Sequence, residues 1–372
     1  MIRIRESLFT AAPDSYRANR VRSLFNIENS ETETHSISVD LPIDSRPWSI
    51  GLIVGPSGSG KTTVGRRVFG EDAMHRGFVW SESAPIIEEI GPSLEFNDVA
   101  TALTSVGLGS VPSWLRPYRV LSTGERFRAD LARVLIEKPQ RVVLDEFTSV
   151  VDRQIAKVGS AAFANAWRRG SSGQAVILSC HRDIIDWLQP DWTLDTRDWQ
   201  FGWRSLQRRP SINLELFRTD WDTWRIFKAH HYLNAGQMMA AFPYLGVVDG
   251  EPVAFCAVTT QVGMKSARIA RIVVMPEWQG VGIGLRFVNT VARDWLRGNN
   301  RYGLPLRSRV STSHPGLIAS MVRHPSWDFV SSRLLGAPVN DVHRQSRQFG
   351  IYGGHFRATA TFEYAREHDP GL

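Results

Sequence analysis

The segment Gly55-Pro56-Ser57-Gly58-Ser59-Gly60-Lys61-Thr62 fits the pattern G-x-x-x-x-G-K-[ST] and follows an apolar run, Ile50–Val54. The run predicts a buried strand, and the pattern predicts a glycine-rich turn that leads into a helix. Glycines let backbone N–H groups curve around phosphates, and the start of a helix adds positive partial charge. The segment therefore predicts a nucleotide site, in which Lys61 reaches the β- and γ-phosphates and Thr62 binds Mg²⁺. The residues predicted to bind ATP here are Gly55, Ser57, Gly58, Ser59, Gly60, Lys61, Thr62 and Thr63.

Two carboxylates follow a second apolar strand, Arg141–Leu144. Because they end a strand beside the phosphates, Asp145 is predicted to hold Mg²⁺ through water, together with Thr62. Glu146 is predicted to orient and polarise the attacking water, which makes it a candidate catalytic residue. Alone, such an acid pair is a solvated strand end as often as it is a functional site. After a phosphate-binding turn it indicates ATP hydrolysis.

Three further segments resemble motifs of ABC-type ATPases. They are Leu121–Glu125, which reads LSTGE, Phe147–Asp152, and Ser179-Cys180-His181. With the two motifs above they occur in family order, and the resemblance covers about residues 18–200. It predicts an ABC-type P-loop ATPase domain in the first half of the chain.

The resemblance also implies roles for particular residues. ABC-type ATPases form head-to-tail homodimers on ATP, so Lys61 of one copy is expected to face Ser122 and Gly124 of the other. A hydroxyl group and a backbone N–H at a helix start suit a phosphate, which agrees with that role. His181 ends a strand where the family has its switch histidine, and it is expected to sense the γ-phosphate as a catalytic residue.

The chain departs from the family pattern at several positions. Thr123 replaces the first glycine of the signature pair, Glu125 replaces its glutamine, and Phe147 stands where proline is usual. No glutamine-loop residue is evident either; Gly77–Pro85 lies about where that loop should be and contains no glutamine. These parts connect transporter ATPases to membrane subunits, so the departures speak against a transport role and leave ATP binding unaffected.

Residues 268–284, RIARIVVMPEWQGVGIG, predict a second site. They resemble the central motif of GNAT acyltransferases, [RQ]-x-x-G-x-[GA], which Gln279, Gly282 and Gly284 fit between a predicted strand and an amphipathic helix, Leu285–Leu296. The resemblance implies that the N–H groups of the turn bind the pyrophosphate of acetyl-CoA or another acyl-CoA. A dinucleotide-binding turn is the alternative, disfavoured because no strong Asp or Glu signal for a ribose follows. The predicted acyl-CoA residues are Ile272, Val273, Val274, Gln279, Gly280, Val281, Gly282, Ile283 and Gly284.

The catalytic residues of the second site are less marked in the sequence. An amine acceptor needs a base, and the departing thiolate needs an acid, often a tyrosine. His231 and Tyr232, in the segment HHYL, and His314, in STSHP, are the candidates; otherwise they are cap or packing residues. The two segments together resemble Mom-type GNAT domains, which modify DNA bases in phages and mobile elements.

Length and charge agree with two domains of different character. The chain has 372 residues, which suggests two domains. The resemblances imply an ABC-type ATPase domain at 1–200, a Trp- and Arg-rich linker at 201–215 and a GNAT-fold α+β domain with a central mixed sheet at 216–372. Residues 1–200 carry 23 Lys and Arg against 25 Asp and Glu, whereas the rest carries 21 against 12. The basic excess of the second part suits a polyanion such as DNA, and part of it suits coenzyme A itself. Two cysteines and no long apolar run predict a cytoplasmic protein without a membrane partner.

Three functional hypotheses follow. The first is an ATP-dependent acyltransferase that modifies an amine of a nucleic-acid base, which must be flipped out or single-stranded. The second is an ATP-gated N-acetyltransferase for proteins or small molecules. The third is an ABC-type ATPase whose inactive GNAT-fold domain only recognises a partner.

Overall fold

The computed structural model describes residues 2–11, 13–25, 32–204, 210–231, 238, 240–260, 266–335 and 357–365. Within these ranges the chain forms two α/β halves, each built around its own large sheet. The predicted α/β fold class is confirmed: a half with a mostly parallel sheet precedes a half with a mixed sheet. No helix in the described ranges combines the length and the apolar composition that a membrane crossing requires.

The first half runs to Trp203. Its elements are β1 (Ile2–Ala11), α1 (Tyr16–Phe25), β2 (Thr32–Leu41), β3 (Ile50–Val54), α2 (Lys61–Phe69), β4 (Met74–His75), α3 (Ile86–Glu89), α4 (Phe96–Ser105), α5 (Val111–Trp114), α6 (Thr123–Glu137), β5 (Arg141–Leu144), α7 (Arg153–Gly170), β6 (Gln174–Ser179), α8 (Ile185–Leu188), β7 (Trp192–Asp195) and β8 (Gln200–Trp203).

The main sheet of the first half has the order β4-β5-β6-β3-β7-β8. All neighbours are parallel except β7 and β8. Every residue of β3 is buried, as expected for a central parallel strand that is covered on both faces. Because parallel strands end at one edge of the sheet, the segments that follow β3, β5 and β6 meet there, and these carry the predicted ATPase motifs.

The second half begins at Glu215. Its elements are β9 (Glu215–Arg218), α9 (Trp224–Phe227), β10 (Phe242–Val248), β11 (Glu251–Thr260), β12 (Ala267–Val274), α10 (Ile283–Leu296), β13 (Ser308–Thr312), α11 (Pro315–Arg323), β14 (Trp327–Leu335) and β15 (Arg357–Tyr364). They form one sheet of order β14-β15-β13-β12-β11-β10-β9, in which β12 and β13 are parallel and the other pairs antiparallel.

Local predictions of secondary structure mostly hold. The pair Asp249-Gly250 between two apolar runs predicts a hairpin. This prediction is confirmed, since β10 and β11 pair across it. The apolar residues around Val21–Ile27 predict a strand. This prediction is wrong, because residues Tyr16–Phe25 form a helix. Val21, Leu24 and Phe25 are spaced three and four residues apart, which is helical spacing, and they stay exposed. The first sheet ends at Trp203 and the second begins at Glu215, and the exact domain limits stay a prediction.

The two halves pack directly against each other. Helix α7 of the first half lies against the short turn Pro276–Trp278, and α4 lies against α11. Val158, on α7, is fully buried among core residues of the second half that include Trp278. One apolar core therefore extends across the boundary between the halves.

Candidate functional site

The glycine-rich turn after β3 is closed by its own lysine. Lys61 Nζ donates hydrogen bonds to the carbonyl oxygens of Gly55 and Pro56, at 2.9 and 2.6 Å. Gly60 has φ +86°, and a Cβ there would lie 2.8 Å from Ile37 Cδ1, so this position requires glycine. The turn thus holds its backbone around Lys61, the predicted phosphate contact.

Oxygen atoms of Thr62 and Asp145 meet beside this turn. The Thr62 hydroxyl donates to Asp145 Oδ2 at 2.8 Å, and the Glu146 N–H donates to Asp145 Oδ1 at 2.8 Å. A hydroxyl and a carboxylate are ligands that Mg²⁺ takes beside the oxygens of a bound phosphate, so these residues fit that metal. Glu146 is exposed and has φ +50°, an uncommon conformation for a non-glycine residue, and it follows directly after the carboxylate predicted to bind the metal.

His181 follows β6, the strand next to β3. Its N–H donates to Ser179 Oγ at 3.1 Å. Burial and the charge of Arg153 lower its pKa, although Asp183 acts in the opposite direction. Arg153 Nε in turn donates to Asp183 Oδ2 at 3.1 Å. The imidazole is therefore held mostly neutral at pH 7.

Ser122 is exposed and caps helix α6, at a distance along the chain from the Lys61 turn. Its side chain accepts from the Glu125 N–H at 3.3 Å, while Glu125 Oε2 accepts from the Ser122 N–H at 2.9 Å. This reciprocal capping box explains why glutamate in place of glutamine is tolerated. Gly124 is buried, and a Cβ there would lie 2.8 Å from Ile155 Cδ1.

The strands β12 and β13 separate in the second half. Their pairing covers residues 267–269 of β12, the last pair being Ile269 and Val310. Beyond it, a bulge with Arg271 at φ +55° shifts the register against β11. The edge of β12 that contains the predicted residues Ile272, Val273 and Val274 therefore turns away from β13, which opens a cleft between the two strands.

The predicted pyrophosphate-binding loop, residues 279–284, joins β12 to α10. Gly280 and Gly282 have φ of +92° and +83°, and Gly282 is the N-cap residue without a side-chain cap. Gly284 packs close to Val274, where a Cβ would lie 3.2 Å from Cγ2. The loop thus presents uncapped N–H groups at the start of a 14-residue helix, which suits a bound anion.

Gln279 joins this loop to both halves. Its Nε2 donates to the Val274 carbonyl at 2.8 Å, and its Oε1 accepts from the Gly109 N–H at 2.9 Å. Gly107, two residues earlier in the first half, lies against the Gln279 backbone. Sequence reasoning missed Gly107 and Gly109, because nothing local in the sequence connects them with a motif 170 residues away.

One cavity of about 1120 Å³ brings the second set of predicted residues together. It is lined by the loop 279–284, by residues 268–274 of β12, and by His231 and His314. The ring of His231 lies 5.5 Å from that of Trp224. Tyr232 lies outside the described residues, so its predicted role stays a prediction.

His314 is engaged on both ring nitrogens. Its Nε2 donates to the Gly109 carbonyl at 2.9 Å, and its Nδ1 accepts from the Leu317 N–H at 3.3 Å as the N-cap of α11. Burial lowers the pKa of His314, and the bond to Gly109 opposes this. The residue is a neutral link between the halves in this structure, and its predicted catalytic role stays a prediction.

Comparison with protein families supports both halves. The GNAT acetyltransferase family model matches residues 184–307. Among curated proteins, the zinc import ATP-binding protein ZnuC of Pseudomonas syringae is 32% identical over 133 residues, which is 30% of this chain and 50% of that protein. ZnuC of Pseudomonas aeruginosa is 34% identical over 134 residues, 31% of this chain and 48% of that protein. The chain thus spans about half the length of the curated relatives it matches.

Two solved structures are similar to parts of the chain. One is cbiO1 from Clostridium perfringens, part of the ABC transporter complex cbiONQ, with 16% identity and a TM-score of 0.34 over 45% of this chain and 80% of that one. The other is the IAA acetyltransferase from Bacillus cereus, with 13% identity and a TM-score of 0.30 over 41% of this chain and 98% of that one.

Proposed function

We propose that the chain is an ATP-dependent acyltransferase, in which an ABC-type ATPase half controls an acyl-CoA-dependent GNAT-type half. The observation that carries this proposal is the cavity that contains the anion-binding loop, the open edge of β12 and His231 together. The GNAT family match over residues 184–307 supports the acyl-CoA part. The relatives of the first half support ATP binding.

In the second half, each group has a separate task. The N–H groups of the loop 279–284 hold the pyrophosphate, and the edge of β12 orients the pantetheine arm by hydrogen bonds. When bound, acyl-CoA supplies an activated acyl group. His231 takes a proton from the acceptor amine, directly or through water, as the amine nitrogen bonds to the acyl carbon. The C–S bond breaks, and coenzyme A leaves as a thiolate that takes up a proton from solvent.

In the first half, Lys61 neutralises the β- and γ-phosphates of ATP, and Thr62 and Asp145 hold Mg²⁺. Glu146 orients the attacking water. A neutral His181 accepts a hydrogen bond from that water or donates one to the γ-phosphate. The exposed Ser122 is available to a second copy of the chain, so we propose an ATP-dependent homodimer.

For the acceptor we propose an amine of a DNA base, reached in single-stranded or flipped form. The support is the basic excess of residues 201–372, which carry 21 Lys and Arg against 12 Asp and Glu. A cytoplasmic location with access to DNA belongs to the same proposal. A protein or small-molecule amine, or a recognition role without acyl transfer, is the alternative that the experiment below distinguishes.

The test uses the whole chain with labelled acetyl-CoA, with and without ATP and Mg²⁺, and with single-stranded DNA, RNA or protein as acceptor. Products are identified by mass spectrometry of nucleosides and peptides. Gly282→Trp fills the loop, and Gly250→Trp is the matched control, because both glycines have φ +83° and open space around a Cβ.

We expect acylated nucleosides with wild type and with Gly250→Trp, and none with Gly282→Trp. Acylated peptides alone would overturn the DNA acceptor and leave the acyltransferase in place. Salt-sensitive DNA binding without any acylated product, in the presence of ATP, would overturn the acyltransferase and favour a recognition domain.

A further inference from the structure

One face of helix α7 continues from the core of the second half to the cavity. Val158 lies in that core, and the Cβ of Ala162 lies 2.9 Å from where a Cβ of Gly280 would be. Ala166 and Arg169 follow at helical spacing on the same face and line the cavity. The ATPase half therefore forms a wall of the cavity directly beside the pyrophosphate-binding loop.

Two basic side chains on this wall have no hydrogen-bond or ion-pair partner among the described residues. Lys138 follows the last residue of α6, and Arg169 lies in the last turn of α7; both are exposed to the cavity. Within the described part of the chain, neither side chain makes a hydrogen bond or an ion pair. Arg168, the neighbour of Arg169, is by contrast bonded to Asp191. The positive charges of Lys138 and Arg169 are thus available to a ligand.

The charge of the whole cavity points to an anionic occupant. Among the described residues that line it, the charged ones are Asp98, Lys138, Arg169, Arg268, Arg271 and Arg323. Five of these six are basic, and desolvated or partly enclosed charges of one sign attract a ligand of the opposite sign. Coenzyme A carries a pyrophosphate and a separate phosphate on its ribose, so it matches this lining.

The order of groups along coenzyme A determines which end meets Lys138 and Arg169. Its pyrophosphate lies between the pantetheine arm and the adenosine. If the arm follows β12 toward His231, the adenosine extends from the loop into another part of the cavity, which Lys138, Arg169 and Arg323 also line. The 3′-phosphate of the adenosine then comes to these basic residues.

We propose that Lys138 and Arg169 of the ATPase half bind the 3′-phosphoadenosine end of acyl-CoA, so that the donor site is completed by both halves. This inference rests on the proposed function, namely that the second half binds acyl-CoA. A charged hydrogen bond from Lys or Arg to a phosphate is stronger than a neutral one, so these residues discriminate coenzyme A from its 3′-dephospho form.

The test measures binding of coenzyme A and 3′-dephospho-coenzyme A to the full chain by isothermal titration calorimetry. The variant is Lys138→Gln/Arg169→Gln. The matched control is Arg17→Gln/Arg20→Gln, which removes the same charge from exposed positions of α1 that do not line the cavity. The unfolding midpoint of each variant is recorded to show that it folds as the wild type does.

We expect wild type and control to bind coenzyme A about 10- to 100-fold more tightly than the dephospho form, and the variant to lose that preference. Adenosine 3′,5′-bisphosphate is expected to compete with coenzyme A on wild type. A preference that survives in the variant overturns this inference alone. Absence of coenzyme A binding to wild type overturns the proposed function, and the inference with it.

Discussion

Replacing Gly107 with alanine places one methyl group of the first half against the loop 279–284 of the second half, which is predicted to bind acyl-CoA. Gly107 has φ +86°, and its Cβ would lie 2.4 Å from the carbonyl oxygen of Gln279 and 2.9 Å from the carbonyl carbon. Both contacts are backbone atoms, which have no rotamer that could move them aside. The loop 279–284 must therefore shift, or the two halves of the chain must move apart.

The magnitude has two parts, which a control separates. An alanine in the left-handed region costs about 1–2 kcal/mol. Overpacking against the loop adds about 1–3 kcal/mol, for a total of roughly 2–5 kcal/mol. Gly77 has φ +85°, and a Cβ there would have nothing within 4 Å, so Gly77→Ala reports the backbone cost alone. The difference between the two variants is the cost of the contact between the halves.

The assay is urea unfolding followed by tryptophan fluorescence, combined with calorimetric titration of coenzyme A. We expect Gly107→Ala to be less stable than Gly77→Ala by about 1–3 kcal/mol and to bind coenzyme A more weakly. Gly77→Ala should bind coenzyme A as wild type does. Equal unfolding free energies in the two variants, or an unchanged affinity in Gly107→Ala, would refute the packing of Gly107 against the donor loop.

Three further predictions concern single side chains. Glu146→Gln should slow ATP hydrolysis about 10²- to 10⁴-fold while nucleotide binding persists, as phosphate release and equilibrium binding would show; an unchanged rate contradicts the role of Glu146. The free energy of unfolding should fall as pH drops below 6.5, because the folded state disfavours protonated His314 and the unfolded chain then binds more protons. His314→Asn should reduce the slope of the unfolding free energy against pH, to which one histidine contributes at most about 1.4 kcal/mol per pH unit. An equal slope in both proteins contradicts a neutral His314 in the folded state. Gln279→Leu should lower the free energy of unfolding by about 1–3 kcal/mol, since it leaves the Gly109 N–H and the Val274 carbonyl without that partner. Urea unfolding measures this loss. A loss below about 0.5 kcal/mol, which is the scatter of surface substitutions, contradicts the prediction.

The motifs that could be predicted from the sequence are those whose chemistry is local. Residues 55–62 carry the turn, the helix start and the lysine in one segment, so strand β3 and helix α2 followed directly from the pattern. The same holds for the loop 279–284, where glycines with positive φ are needed in consecutive turns. The strand prediction at helix α1 was wrong because an exposed helix lacks the buried face that periodicity is expected to show.

The remaining features depend on contacts between distant segments. The bond between His314 and Gly109 spans 205 positions of the chain, and a histidine between a strand and a helix reads equally as a base or as a cap. Likewise, Lys138 and Arg169 look like ordinary basic residues at helix ends, where they interact favourably with the helix dipole. Only the packing of α7 on the second half shows that they face the cavity beside the loop 279–284.

Helix α6 has 15 residues, so it is about 22 Å long, and its two ends lie at two different proposed ligand sites. Ser122 at its start is the residue proposed to meet ATP in a dimer, and Lys138 after its end lines the donor cavity. Thermodynamic linkage then imposes a symmetry: if ATP raises the affinity for acyl-CoA by some factor, acyl-CoA raises the affinity for ATP by the same factor. The transferase substrate would thereby act as an effector of its own ATPase.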